Sequence, residues 1–349
     1  MTTFQAADMR RALSLIKKII ERRNTVPILG NVMLTCDGET MTVFGTDLDM
    51  EASVEIPSEC SDAFSITIGA RLLTDFIKGC VGVVTLVTDD CTAKLSNDGM
   101  TMEVNLICPA SDMPVIEFYA SGAETISETI SETLWRKTLA AVAPCCYTED
   151  VRYYLRGAYI HPIDGKLRAV TTDGHRLAMY DPAVSWSLAP VILPLKAIKV
   201  MLSVMKPGGA NDITVTQDGL KLRFEHPDWT LTTKVIDGKY PEYTRVIPKA
   251  PGAFETTLSH AQISRIPIVD RAVKLDPSNR LLTCREHDGV NITAAIHGKG
   301  GPVGFNLKYL MAFTRAHGTI KMQGDGAGDP ATITTEDPAF TGVVMPMRM

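Results

Sequence analysis

Residues 171–180 read TTDGHRLAMY and place Asp173, His175 and Arg176 within four positions of one another. A carboxylate beside an imidazole is the orienting half of a nucleophile-activating triad, and a cationic pair on a turn can grip a phosphate. A triad also needs a nucleophile, and the chain contains no G-x-S-x-G elbow and no H-E-x-x-H metal pair. HGKGGP at 297–302 has the lysine of a phosphate loop, but the leading glycine is absent and Gly300 stands where Ser or Thr should follow. GDGAGD at 324–329 lacks the strand-to-helix context of a dinucleotide site. The opening turn also reads without chemistry: Asp-Gly makes the reversal and Leu177 returns to the core.

Cysteine is the other reactive type. Eight are scattered at 36, 60, 80, 91, 108, 145, 146 and 284, with no Cys-x-x-Cys and no histidine spaced to complete a zinc site. The adjacent Cys145 and Cys146 are read as buried free thiols, with a redox pair as the competing reading. No metal and no cofactor is expected, and no catalytic residue is assigned.

The elements that position these residues follow from patterning. Asp-Gly occurs at 37, 98, 164, 173, 218, 237, 288 and 325, mostly between alternating apolar and polar residues, as in DGMTMEVNL and DGLKLRF. That is a hairpin signature and predicts a strand-rich α+β chain. Helical patterns fall in two kinds. One begins near Ala7, Glu132 and Ser259. The other begins near Gly69, Pro194 and Asn306, and each of its copies runs into a strand. Starts of the first kind are 125 and 127 residues apart, those of the second 125 and 112, and Thr46-Asp47 recurs 126 residues on as Thr172-Asp173. One unit of helix, hairpins, helix, hairpins is therefore expected three times, over 1–119, 120–249 and a shortened 250–349.

The chain has 349 residues, 45% apolar and 21% charged, with a net charge of −5. Its composition is that of a folded chain. No apolar run is long enough to span a membrane, the N-terminus lacks a signal-peptide core, and a cytoplasmic location is expected. Charge is unevenly placed. The helical segments 7–23, 69–80, 132–143, 194–206, 259–275 and 306–317 carry +4, +1, +1, +3, +2 and +2, leaving −18 on the remainder. On the first, Met9, Leu13, Ile16 and Ile20 form one stripe, opposite Arg11, Lys18 and Arg22. A basic helical surface in an acidic chain is suited to a polyanion, held through phosphate without base readout.

Taken together, TTDGHRLAMY, VPILGNVML (26–34), FGTDLDME (44–51), DVRYYLRGAYI (150–160), DGKYPEYTRVIPK (237–249) and the terminal VVMPMRM resemble the bacterial DNA polymerase III beta subunit, the sliding clamp family. The resemblance runs in order from the first helix to the last residue. It implies three repeated clamp domains per chain, and two chains closed head to tail into a ring around double-stranded DNA. Helices line the hole and antiparallel sheets form the wall. It implies a non-catalytic processivity factor that slides without sequence preference.

Partners implied are the replicative polymerase, the clamp loader, translesion polymerases and mismatch-repair proteins, each inserting a linear peptide with a Gln and a Leu-Phe-like pair. Carried onto this chain, the apolar pocket is Leu155, Thr172, Gly174, His175, Arg176, Leu177, Pro241 and Val246. The adjoining cleft is Tyr154, Val343, Val344, Met345, Pro346, Met347 and Arg348. An apolar C-terminus of this kind is expected to dock rather than fray. DNA contacts are expected at Arg11, Lys18, Arg22, Arg23, Arg71, Lys78, Tyr153, Lys196 and Lys199. The dimer contact is expected at Val104 and Leu106 against Ile268 and Val269.

Departures from the family pattern are the short third domain, Pro267 inside its first helix, Glu149 beside Arg152, and Asn24 after Arg23. Two rivals stand beside this reading. One is a hydrolase using Asp173 and His175. The other is a monomeric peptide-binding module that has lost ring closure.

Overall fold

The structure is a computed structural model and describes residues 1–21, 25–118, 125–249, 252–266, 272–285 and 291–348. Six helices are present among them: α1 (Ala6–Ile19), α2 (Ala70–Gly79), α3 (Glu132–Val142), α4 (Leu195–Val204), α5 (His260–Ile263) and α6 (Leu307–His317). Every strand pairing among the described residues is antiparallel. None of their helices is long and apolar enough to cross a membrane.

Two compact units are distinguished by their internal contacts, Met1–Glu132 with Ser203–Val235, and Thr133–Leu202 with Ile236–Met349. In the first, a twelve-stranded sheet is organised on the long strand Met50–Cys60. One end of that strand pairs with Trp229–Lys234, Glu51 facing Thr232; the other pairs with Thr2–Gln5. Alternation explains the strands: Asn31–Cys36 buries every second residue, Val32, Leu34 and Cys36. Helix α1 lays Met9, Leu13 and Ile16 on this sheet, and Gly45 lets it approach: a Cβ there would lie 2.5 Å from Ile16 Cγ2.

The second unit holds a nine-stranded sheet and a four-stranded one. In the larger, Gly157–Ile163, Lys166–Thr172, Arg176–Tyr180 and Phe340–Val344 lie side by side, so the C-terminal strand pairs directly with the strand that leaves the Asp173 turn. Asp-Gly behaves as expected at 98–99 and 164–165, where both residues take positive φ in two-residue hairpin turns. It does not at 237–238, which joins no hairpin, and 288–289 lies outside the described residues.

Two expected helices differ from their reading. Helix α1 leaves helical geometry at Ile20 rather than reaching Arg23, and Arg22 and Arg23 lie outside the described residues. The helix expected over 259–275 is the single turn α5, and Ala272–Asp276 is a strand paired with Leu281–Arg285 and Val303–Asn306. Val273 and Leu275 are buried with Lys274 between them, a period of two that a helix cannot use. The +2 assigned to that segment therefore does not belong to one helical surface. Pro267 lies outside the described residues.

Candidate peptide-binding site

The turn is built by its own side chains. Asp173 Oδ1 accepts the N–H groups of His175 (2.9 Å) and Arg176 (3.0 Å), and Oδ2 accepts Arg176 Nε at 2.8 Å. Thr172 Oγ1 donates to the Arg176 carbonyl at 2.7 Å and accepts the Gly174 N–H at 3.1 Å. Gly174 takes φ +89, and a Cβ there would lie 2.7 Å from Arg152 Nη1. Asp173 thus meets His175 through its backbone, and the carboxylate is committed to the turn. The hydrolase reading loses its orienting acid.

The same bonds recur at Thr46–Met50. Asp47 Oδ1 accepts the Asp49 and Met50 N–H groups, while Thr46 Oγ1 donates to the Met50 carbonyl and accepts the Leu48 N–H. Lys234 N–H donates to Asp49 O, as Met345 N–H donates to His175 O, each at 2.8 Å. Four side chains differ between the turns: Asp49 and Met50 stand where His175 and Arg176 do, and two further differences bear on an apolar seat. Leu48 stands at positive φ where Gly174 does, and Glu51 stands where Leu177 does. Burial pushes the Glu51 carboxyl above its ordinary range, while the Ile116 N–H it accepts, at 2.7 Å, works the other way.

At the second turn lies a cavity of about 230 Å3. Leu155, Leu177 and Val343 are its buried apolar base; Val246 and Met345 are exposed at its rim. Thr172, Gly174, His175, Arg176, Pro241 and Tyr154 complete the expected set that lines it. Arg152, Glu242 and Tyr243 line it as well and were not assigned from sequence, although the quoted stretches DVRYYLRGAYI and DGKYPEYTRVIPK contain them. Tyr154, expected in the adjoining cleft, lines the cavity itself.

Val344, Pro346, Met347 and Arg348 are not on the cavity wall. Val344 is fully buried on the opposite face of its strand from Val343, as the period of two requires. The tail is docked through Met347, whose N–H donates to Gly304 O at 2.8 Å.

A second, polar cleft of about 620 Å3 shares Arg152, His175 and Arg176 with the cavity and adds Tyr147, Glu149, Lys199 and Tyr309. Arg176 lies over the Tyr309 ring at 4.6 Å, and His175 stacks on it at 6.3 Å. Cys145 and Cys146 are buried free thiols; burial raises both, Cys146 to about 12, which leaves the thiolate scarce at neutral pH.

The expected DNA contacts divide. Lys18, Lys196, Lys199 and Tyr153 are exposed. Arg11 is held by Asp228 at 3.1 Å and Asp8 at 3.8 Å, and Lys78 and Arg71 share Asp75 at 3.2 and 3.8 Å. Lys17, missed from sequence, joins Arg71 and Lys78 in a cleft of about 560 Å3 between α1 and α2. Of the expected dimer contacts, Val104 lies on the edge strand Met100–Asn105 and Leu106 follows it; Ile268 and Val269 lie outside the described residues.

Comparison with known proteins agrees along the chain. The family model for the DNA polymerase III beta subunit N-terminal domain matches residues 2–104, and that for the central domain matches 129–242. The beta sliding clamp of Caulobacter vibrioides strain NA1000 is 30% identical, with 99% of each chain covered. That of Escherichia coli K12 is 27% identical, again over 99% of each. Among solved structures, the DNA polymerase III beta subunit sliding clamps of Bartonella birtlesii and Pseudomonas aeruginosa, both bound to griselimycin, superpose with TM-scores of 0.91 and 0.89 at 26% identity over the whole of each chain. The chain belongs to the DNA polymerase III beta subunit family, the beta sliding clamps.

Proposed function

We propose that two copies of this chain close head to tail into a ring around duplex DNA, slide without sequence preference, and tether replication and repair proteins by a linear peptide. Within that reading the chain is a non-catalytic processivity factor working in the cytoplasm. It has three clamp domains, over 1–119, 120–249 and a shortened 250–349. The replicative polymerase, the clamp loader, translesion polymerases and mismatch-repair proteins are its partners.

One observation carries the peptide reading: an apolar-based cavity with polar edges, made by the Asp173 turn and by a C-terminal strand with exposed Met345 just after it. Tyr154, Leu155, Leu177, Pro241 and Val246 take the apolar pair, and His175 and Arg176 form the rim. Burying a leucine or phenylalanine there supplies about 1.5–3 kcal/mol. Tethering then acts through effective concentration, because a polymerase that leaves the primer stays beside it.

The DNA reading rests on the exposed Lys18, Lys196 and Lys199 and on the cleft where Lys17, Arg71 and Lys78 outnumber Glu21 and Asp75. Ring closure is assigned to Val104 and Leu106 against Ile268 and Val269. Calorimetry with a Gln-x-x-Leu-Phe peptide, on the intact chain and on one lacking residues 345–349, tests the groove. Equal affinity in both refutes it. Mass in solution with and without circular DNA tests the ring, and a monomer at micromolar concentration refutes closure.

A further inference from the structure

We propose that His161, Arg168 and Asp181 are positioning residues for the peptide cavity, acting through Tyr243, and that acidification weakens peptide capture through His161. The proposal rests on the peptide-groove reading and concerns how that site is held and regulated.

Part of the cavity wall is the segment Tyr240–Val246, which ends in the single 3-10 turn Tyr243–Val246 and supplies Pro241, Glu242, Tyr243 and Val246. One turn without a partner helix has little stiffness of its own. Rings pin it at Tyr240 and at Tyr243. Tyr240 stacks on Tyr159 at 4.9 Å, nearly parallel; Tyr159 stacks on His161 at 4.3 Å; and His161 Nε2 lies 3.0 Å from Tyr243 Oη. Behind them Arg168 is clamped by Asp181 in two parallel bonds, Nε to Oδ1 at 2.7 Å and Nη2 to Oδ2 at 2.6 Å. Its remaining Nη1 reaches Tyr243 Oη at 3.5 Å.

These partners fix the direction of every proton. His161 Nδ1 faces the Pro162 carbonyl at 3.2 Å, and a carbonyl only accepts, so Nδ1 carries the hydrogen. Nε2 is then the bare nitrogen of a neutral ring and accepts the Tyr243 O–H. Tyr243 oxygen accepts in turn from Arg168. Protonating His161 makes Nε2 a donor. Tyr243 oxygen then faces two cationic donors, and its own hydrogen loses its acceptor.

The charged and titratable groups around the ring are Arg168 and Asp181 from the neighbouring strands, Tyr243 and Glu242 from the wall segment, and Tyr159 on its own strand. Burial, with Arg168 adding to it, holds the imidazole below its ordinary value, so the neutral form belongs to the intact wall. A wall that needs neutral His161 binds peptide more weakly as the ring protonates.

The test uses the full chain and a Gln-Ala-Ser-Leu-Phe peptide capped at both ends, which has no titrating group. Affinity is measured by calorimetry between pH 8 and pH 5 for the wild type, His161→Gln and Tyr243→Phe. Gln keeps an acceptor for Tyr243 O–H and does not titrate. We expect wild-type affinity to fall at least threefold towards pH 5, and both variants to show a flat profile. A fall that persists in His161→Gln overturns the proposal. A flat wild-type profile overturns it too. A wild type that binds no peptide even at pH 8 overturns the groove reading on which it rests.

A second measurement needs no variant. Binding and protonation are reciprocally linked, so saturating peptide must lower the midpoint of the His161 imidazole titration, followed by NMR, by about 0.5 pH for a threefold effect. An unmoved midpoint overturns the proposal.

Discussion

Replacing Asp173 by Asn isolates what the turn's ion pair contributes. The substitution keeps the shape of the side chain and one oxygen, which can still accept the His175 and Arg176 N–H groups. It replaces the oxygen facing Arg176 Nε by an amide donor, so two donors meet across what was a 2.8 Å bond. Both side chains are mostly out of water, at 12% and 14% exposure, so solvent repairs the loss only in part. A hydrogen bond to a charged group contributes about 1.5–3 kcal/mol, and the neutral amide also weakens the two backbone bonds, so about 2–3 kcal/mol of stability should be lost. Arg176 then keeps the Tyr309 ring but loses its anion, and peptide affinity should fall with it.

Urea unfolding reads the first effect as a lower midpoint at unchanged slope, and calorimetry reads the second. Asp47→Asn is the internal reference. It holds the same two backbone N–H groups, with Met50 where Arg176 stands, and should cost less by about the worth of the ion pair, 1–2 kcal/mol. Equal losses at 47 and 173 would refute the reasoning, because the turn would then owe nothing to Arg176.

Gly174→Ala should cost about 1–2 kcal/mol in urea unfolding, since its φ of +89 disfavours a side chain and the new Cβ displaces Arg152. Asp337 is opposed by burial, yet the Lys137 ammonium at 2.7 Å, the Ala339 N–H and the Tyr180 hydroxyl hold it below the ordinary aspartate value. Its stabilisation is therefore present above that value and lost as pH falls through the depressed one. Lys137→Met should move acid unfolding to higher pH and cost about 0.5–1 kcal/mol at neutral pH, read by circular dichroism. An aromatic disulfide reagent should modify exposed Cys91 promptly in the native chain, and Cys145 and Cys146 only on unfolding, as followed by peptide mass mapping.

The sequence carried the local rules and lost what depends on distant chain. Hairpins at 98 and 164 were legible because Asp-Gly pre-sets two positive φ values. Helices α1, α2, α4 and α6 were legible because their apolar residues recur at helical spacing. Residues 272–276 misled because the spacing of helix starts placed a helix over 259–275, whereas burial of Val273 and Leu275 between two partner strands decided the conformation. Arg11 read as part of a basic helix face, and its partner Asp228, 217 residues away, lay beyond any periodicity. Tyr243 was passed over at the cavity for the same reason: its hydroxyl is oriented by His161 and Arg168, which lie 82 and 75 positions earlier. The quoted resemblance located the cavity; the bonds that stiffen it had no sequence signature.

The hydrogen-bond pattern shared by the turns at 46–50 and 172–176 bears on stoichiometry. A repeated chain can offer its docking turn once per repeat, and more seats would let several clients ride together. At the first turn Leu48 and Glu51 close that option. An incoming aliphatic or aromatic side chain would meet a buried carboxylate already committed to Ile116 N–H, instead of the leucine that forms the base at the second. Between these two turns, two side chains set a single vacancy. Clients that use the second turn must then succeed one another, and the order of succession is set by how fast each lets go and how many copies of the next are waiting.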